Sequence, residues 1–176
     1  MTFEQTLIPG VWIVGLEPRE DNRGFFARSF CEQEFGSHGL LTRFPQCNIS
    51  FNRKRGTLHG MHFQRGPKIE IKLVRCTKGA VYDVVVDLRK QSATYLRWFG
   101  IELSDENRLA LYIAGGCAHG FQTLLDDTEL FYHMSELYDA AADDGLRWND
   151  PVIGIKWPFT DPILSERDAT YPDFRP

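Results

Sequence analysis

His59, His62 and Lys72 fall within the seventeen residues from Gly56 to Lys72, and His119 follows in a second glycine-rich stretch, Gly115-Gly116-Cys117-Ala118-His119-Gly120-Phe121-Gln122. Imidazole moves protons near neutral pH, so a histidine held on rigid backbone is a natural base, and His62 is the candidate. Such a base needs a partner to fix its tautomer, a group opposite to return a proton, and a cation for the charge that develops. Lys72 supplies the cation if it faces inward; an outward, solvated lysine is the other placement that alternation allows. Tyr132 is a candidate proton donor, although a tyrosine on an apolar face also serves as a core residue whose hydroxyl has found a partner. Asp168, in Ser165-Glu166-Arg167-Asp168, fits a helix capping box equally well, and its position alone does not bring it to His62.

A metal site is the competing chemistry, with His59, His62 and His119 as ligands and Glu70 as a fourth. The position two after His62 is Gln64 rather than a second histidine, so the His-x-His pair usual in small metal-binding barrels is missing. The reading is a site without metal or other cofactor.

The elements that must carry these residues read as strands. Gln46–Asn52 alternates polar and apolar residues, and Arg53-Lys54-Arg55-Gly56 predicts a turn that closes a hairpin with the stretch holding His62. Alternation puts His62 and Gln64 on one face and Met61 and Phe63 on the other, with His59 on the Met61 face unless Gly60 carries a bulge. Residues 68–76, 80–88, 95–103, 109–113, 120–124 and 129–134 are short, rich in β-branched and aromatic residues, and separated by turn residues. Such spacing predicts an all-β barrel or sandwich in which the two histidine stretches belong to facing β-units. Residues 31–39 predict one short helix, and beyond Tyr138 an irregular tail is expected. Arg23, in the polar turn Glu20-Asp21-Asn22-Arg23-Gly24, is placed either to meet an anion at a strand entrance or to lie on the surface.

A length of 176 residues predicts a single domain, long enough to bury roughly 70% of its unfolded surface. Lys and Arg number 20 against 24 Asp and Glu, which excludes a general nucleic-acid binder and gives no attraction to anionic membranes. Between Arg53 and Lys78, however, eight basic residues stand against Glu70 alone, a local excess suited to a compact anion such as a nucleotide diphosphate, although Arg53-Lys54-Arg55 by itself reads as a solvated hairpin tip. Cys31, Cys47, Cys76 and Cys117 have neither CxxC spacing nor disulfide-scaffold density, so reduced thiols are expected. The N-terminal residues lack a basic patch followed by an apolar run, and no stretch has the length of a membrane span; a soluble, cytoplasmic protein is expected.

Several motifs resemble the dTDP-4-dehydrorhamnose 3,5-epimerase family of the cupin superfamily. They are Asp21-Asn22-Arg23-Gly24-Phe25-Phe26, Gly60-Met61-His62-Phe63-Gln64, Lys72-Leu73-Val74-Arg75, Ala118-His119-Gly120-Phe121, Trp148-Asn149-Asp150-Pro151 and Leu164-Ser165-Glu166-Arg167-Asp168. The resemblance implies a metal-free β-jelly-roll homodimer acting on a nucleotide-linked 4-keto-6-deoxyhexose, whose C4 ketone acidifies the protons at C3 and C5. It implies that His62 is the base, Asp168 its orienting carboxylate, Lys72 the support for the enolate oxygen and Tyr132 the proton donor on the opposite face. Arg23 would bind the diphosphate across the dimer, with Phe26 and Arg28 beside it, while Gln46, Asn48, His59 and His119 would meet nucleotide or sugar. The chain departs from the family pattern in carrying His59 where arginine is usual, Arg28 where glutamate is frequent, and Ala114-Gly115-Gly116-Cys117 where Pro-x-Gly-Phe is usual. Epimerisation at C3 alone, or sugar-nucleotide binding without catalysis, are the alternative readings, and a metal-dependent cupin is a third.

Overall fold

The computed structural model describes residues 1–175. In chain order it contains β1 (Thr2–Gln5), β2 (Trp12–Gly15), β3 (Arg19–Asp21), β4 (Gly24–Phe26), α1 (Glu32–Ser37), β5 (Gln46–Asn52), β6 (Leu58–Gln64) and β7 (Lys72–Lys78). There follow β8 (Ala80–Asp87), β9 (Trp98–Ser104), β10 (Ala110–Ile113), β11 (Cys117–Thr123), β12 (Thr128–Met134), β13 (Asp143–Gly145) and α2 (Glu166–Thr170). Strands β1-β2-β10-β7-β12-β5 form one sheet and β13-β6-β11-β8-β9 a second, while β3 and β4 pair only with each other. Every named strand pair is antiparallel, the arrangement of a double-sheet jelly roll.

Side-chain parity builds three apolar layers. Val74 and Cys76 of β7, Val81 and Val85 of β8, and Leu130 of β12 meet between the sheets. The opposite parity of β8, Val84 and Val86, packs with Met61 beneath Leu146, Ile153 and Ile155 of the C-terminal segment. Leu73 and Tyr112 on the outer face of the six-stranded sheet are covered by Phe35 of α1 and by Leu40. β8 is buried along nearly its whole length, which explains why its sequence reads as a continuous apolar run instead of alternating. The irregular tail is therefore a lid on one sheet, and it contains a short strand, β13, that the sequence pattern did not reveal.

Two expectations are corrected. Residues 46–64 are not a hairpin: β5 pairs with β12 in one sheet, while β6 pairs with β11 and β13 in the other. The turn between them is tied across the barrel, with Arg55 N–H on Asp126 Oδ1 at 2.8 Å and Gly56 N–H on the Thr123 carbonyl at 2.9 Å. The two histidine stretches are not facing units either, because His62 and His119 are direct register partners on adjacent strands. What permits this is a close contact of glycine backbones, since a Cβ on Gly60 would stand 2.6 Å from Gly120 Cα.

Candidate active site

At one end of the barrel the apolar filling between the sheets gives way to polar side chains. Gln46 and Asn48 of β5, His62 and Gln64 of β6, Lys72 of β7 and Tyr132 of β12 line a cleft of about 550 Å³, with Tyr138, Asp143 and Arg167 at its rim. A small inner recess continues from it between Ser50, His59, His62, Lys72, His119 and Tyr132.

His59 and His62 reach the same recess because β6 is irregular. Three steps along β6, from His59 to His62, span only two along β11, from Phe121 to His119. The extra residue is Gly60, at φ +118°, and the bulge turns His59 from the Met61 face to the inner one. There its ring stacks on Phe121, with centroids 4.9 Å apart, and its Nε2 lies 2.8 Å from Asn52 Oδ1. The amide of Asn52 donates through Nδ2 to the Ser50 and Thr128 carbonyls, so Oδ1 is the acceptor and His59 donates to it. Burial pushes the His59 imidazole below its ordinary value; His62 and His119 add to this and Asp168 opposes it. His59 is thus neutral at pH 7, with Nδ1 left as an acceptor.

Asp168 reaches His62 because the segment before α2 docks on the start of β6. Thr57 and Ile163 form a parallel bridge, and Ser165 caps the short helix by accepting the Asp168 N–H at 3.1 Å. The buried carboxylate then accepts from His62 Nε2 at 2.7 Å and from the Gly60 N–H at 3.4 Å. Burial alone would raise the Asp168 carboxyl, but the His62 contact and the backbone bond outweigh it and hold the group below the usual carboxylate range. With Nε2 committed to Asp168, Nδ1 is the basic atom of His62. His119 is set in the same way, its Nε2 lying 2.9 Å from a fully buried Asp83.

Lys72 shares the parity of Val74 and Cys76 and points inward, 8% exposed, with Nζ 2.9 Å from Glu70 Oε1. Tyr132 faces it from the neighbouring strand, and its phenol is raised, first by burial and then by the charge of Glu70, with Asn48 acting the other way. At the rim, Asp143 pairs with Arg167 at 2.7 Å and accepts from Tyr138 Oη at 2.9 Å. Among the described residues no group of three or more His, Cys, Asp or Glu side chains is arranged to hold a metal ion. Three histidines and Glu70 do converge here, but each is already bonded to a protein partner.

The expected set therefore divides in two. His62, Asp168, Lys72, Tyr132, His59, His119, Gln46 and Asn48 come together in one cleft. Arg23, Phe26 and Arg28 do not line it: Arg23 sits on the exposed β3–β4 ribbon, paired with Asp21, and Phe26 and Arg28 border a separate cleft beside Glu17 and Glu34. Reading the sequence missed Asp83, Asn52 and Arg167. Asp83 carried a signal, an ionisable residue inside the apolar run of β8, and Arg167 adjoins the Asp168 already singled out.

Two packed antiparallel sheets with a histidine–carboxylate couple and a lysine at one end define a cupin-type jelly-roll protein. A model of dTDP-4-dehydrorhamnose 3,5-epimerase matches residues 5–176. A relative of that description from Methanothermobacter thermautotrophicus is 45% identical, covering 98% of this chain and 94% of its own. One from Streptomyces niveus described as a dTDP-4-dehydrorhamnose 3-epimerase is 41% identical over 92% of this chain and 78% of its own. The crystal structure of dTDP-4-dehydrorhamnose 3,5-epimerase from Bacillus anthracis with TDP and PPi bound superposes with a TM-score of 0.96 at 39% identity, covering 98% of this chain and 99% of that one. The chain belongs to the dTDP-4-dehydrorhamnose 3,5-epimerase family.

Proposed function

We propose that the chain is an isomerase that epimerises C3 and C5 of a nucleotide-linked 4-keto-6-deoxyhexose of the dTDP-4-dehydro-6-deoxy-glucose type. The C4 ketone acidifies the hydrogens on both neighbouring carbons, so one enolate-stabilising site serves both. His62 Nδ1 takes the proton, the C–H electron pair moves into the enolate, and Lys72 meets the negative charge on the C4 oxygen. Asp168 stabilises the imidazolium that forms, and Tyr132 gives its phenolic proton to the opposite face of the carbon, inverting it. Proton exchange with solvent then resets His62 and Tyr132. The observation that carries this reading is the 2.7 Å His62–Asp168 contact in the same cleft as Lys72 and Tyr132.

Gln46, Asn48, His59 and His119 bind sugar or nucleotide from within the chain, whereas Arg23, Phe26 and Arg28 act on the cleft of a second copy in a homodimer. Two exposed features support this: the β3–β4 ribbon, with Phe26 75% exposed, and the free edge of β5, where Ile49 and Phe51 are 66% and 51% exposed. The free cysteines, two of them buried with thiols held at about 12 by burial, suit a reducing, cytoplasmic setting.

The test is deuterium wash-in from D₂O followed by NMR on dTDP-4-dehydro-6-deoxy-glucose. Label at C3 and C5 is expected. Label at C3 alone selects the narrower 3-epimerase activity, the one by which the Streptomyces niveus relative is described. No label with dTDP-, GDP- or CDP-linked ketosugars overturns the reading, and thermal stabilisation without label would leave a binding protein.

A further inference from the structure

Glu70 belongs to none of the roles assigned above, yet it is a carboxylate at 7% exposure in the wall of the cleft. One oxygen accepts from Lys72 Nζ at 2.9 Å, and the other accepts from Gln64 Nε2 at 2.8 Å. Gln64 is itself immobilised, since its Oε1 accepts the Asp139 N–H at 2.7 Å and its Nε2 is shared with the Lys68 carbonyl at 3.3 Å. The chain on either side is clamped too: the Ile71 N–H bonds Ser135 Oγ at 2.7 Å, and the Ser135 N–H returns to the Ile71 carbonyl at 2.9 Å. A lysine ammonium on four methylenes has wide freedom unless something fixes it, and here both the fixing group and its anchor are buried.

Resting on the epimerase reading above, we propose that Glu70 is a positioning residue for the reaction, the counter-ion that holds Lys72 Nζ at one point on the pocket wall with Gln64 as its own anchor. Lys72 then meets the enolate without having to be ordered at the moment charge develops. The same carboxylate faces Tyr132 and is the second cause, after burial, that favours the protonated phenol over phenolate. The other ionisable groups on this space are His59 and His62 from β6, His119 from β11 with Asp83 behind it, and Asp168 from α2, with Tyr138, Asp143 and Arg167 at the rim. Lys72 is the lysine that lines the recess, so its counter-ion fixes where that charge stands.

The experiment compares Glu70→Leu and Glu70→Gln with the wild type in the deuterium wash-in assay, each also in a Lys72→Met background. Glu70→Leu should slow exchange about tenfold or more, with KM changed less than about twofold, because the lost interaction serves the enolate rather than bound ketone. Glu70→Gln should recover part of that rate, its single oxygen serving Lys72 or Gln64 but not both. Both variants should move the alkaline limb of kcat to lower pH, since Tyr132 loses the charge that favours its phenol. In the Lys72→Met background Glu70→Leu should change the rate less than about twofold, as expected of a residue acting through Lys72. The proposal is overturned by wild-type kcat and an unmoved limb in both variants, or by an equal loss from Glu70→Leu in both backgrounds. If Glu70→Leu does not fold, the limb of the shape-conserving Glu70→Gln decides alone. Failure of the wild type to exchange would instead overturn the epimerase reading.

Discussion

Asp168→Asn removes one charge from the couple to which the proposed mechanism assigns proton abstraction while keeping the side chain's shape. The carboxylate is 2% exposed and 2.7 Å from His62 Nε2, so its bond to the imidazolium is charge-assisted and little screened. Such a bond contributes about 1.5–3 kcal/mol, and with about 1.4 kcal/mol for each factor of ten, kcat should fall between about ten- and 150-fold. The asparagine amide can also turn its NH₂ toward His62, leaving Nε2 as the acceptor and placing the proton on Nδ1, where the base is needed; this adds to the loss. Initial rates of deuterium wash-in at C3 and C5 measure the effect, with melting temperature as a control because Asp168 also bonds the Gly60 N–H. A folded Asp168→Asn protein within about threefold of wild-type kcat would refute the assignment of His62 and Asp168 as a working pair.

Tyr132→Phe should leave solvent deuterium entering with retention while inverted product falls by about a hundredfold or more, read by NMR of the recovered sugar nucleotide; inversion at the wild-type rate would remove Tyr132 as the donor. As the proposed donor the Tyr132 phenol acts only while protonated, and burial and Glu70 raise it, so kcat should hold through neutral pH and fall on the alkaline side, with that limb absent in Tyr132→Phe. Gly120→Ala would set a Cβ 2.7 Å from the His59 carbonyl and 2.6 Å from Met61 Sδ, and should cost about 1–3 kcal/mol, visible as a melting point lower by several degrees. Burial works against the Asp87 carboxylate, yet Arg89, Ser92 and Thr94 hold it at about 2. A depressed carboxyl contributes stability that is complete above its unfolded value, near 4, and is lost as pH falls toward 2. Urea titrations of Asp87→Asn should therefore show a smaller loss of stability than wild type across that window.

How far the sequence could be read follows from what local pattern encodes. Parity along β7 and β12 was enough to pair Lys72 with Val74 and Tyr132 with Leu130, and both side chains do point between the sheets. Partner choice was not legible. Residues 46–64 carried a turn and two strand-like runs, but whether the runs pair with each other or with distant strands depends on bonds from Arg55 and Gly56 to residues some seventy positions away. Asp168 lies 106 residues from His62, and only the docking of Ile163 on Thr57 brings it there. Alternation across 68–76 put Glu70 on the face of Lys72 and Val74, but Glu70 precedes β7, outside any strand, and its burial against Gln64 was not legible. The rotation of His59 into the recess hinged on Gly60, whose bulge the sequence permitted without requiring.

The backbone contact between Gly60 and Gly120 has a consequence for how this protein can vary. The spacing of the two strands that present His62 and His119 is fixed by main chain touching main chain, and does not depend on which residues fill the core around it. Residues at the rim, such as Tyr138 or Arg167, can then be exchanged to suit a different base or sugar while the gap between the two imidazoles stays constant. Diversification of ligand choice and preservation of the chemistry are mechanically decoupled.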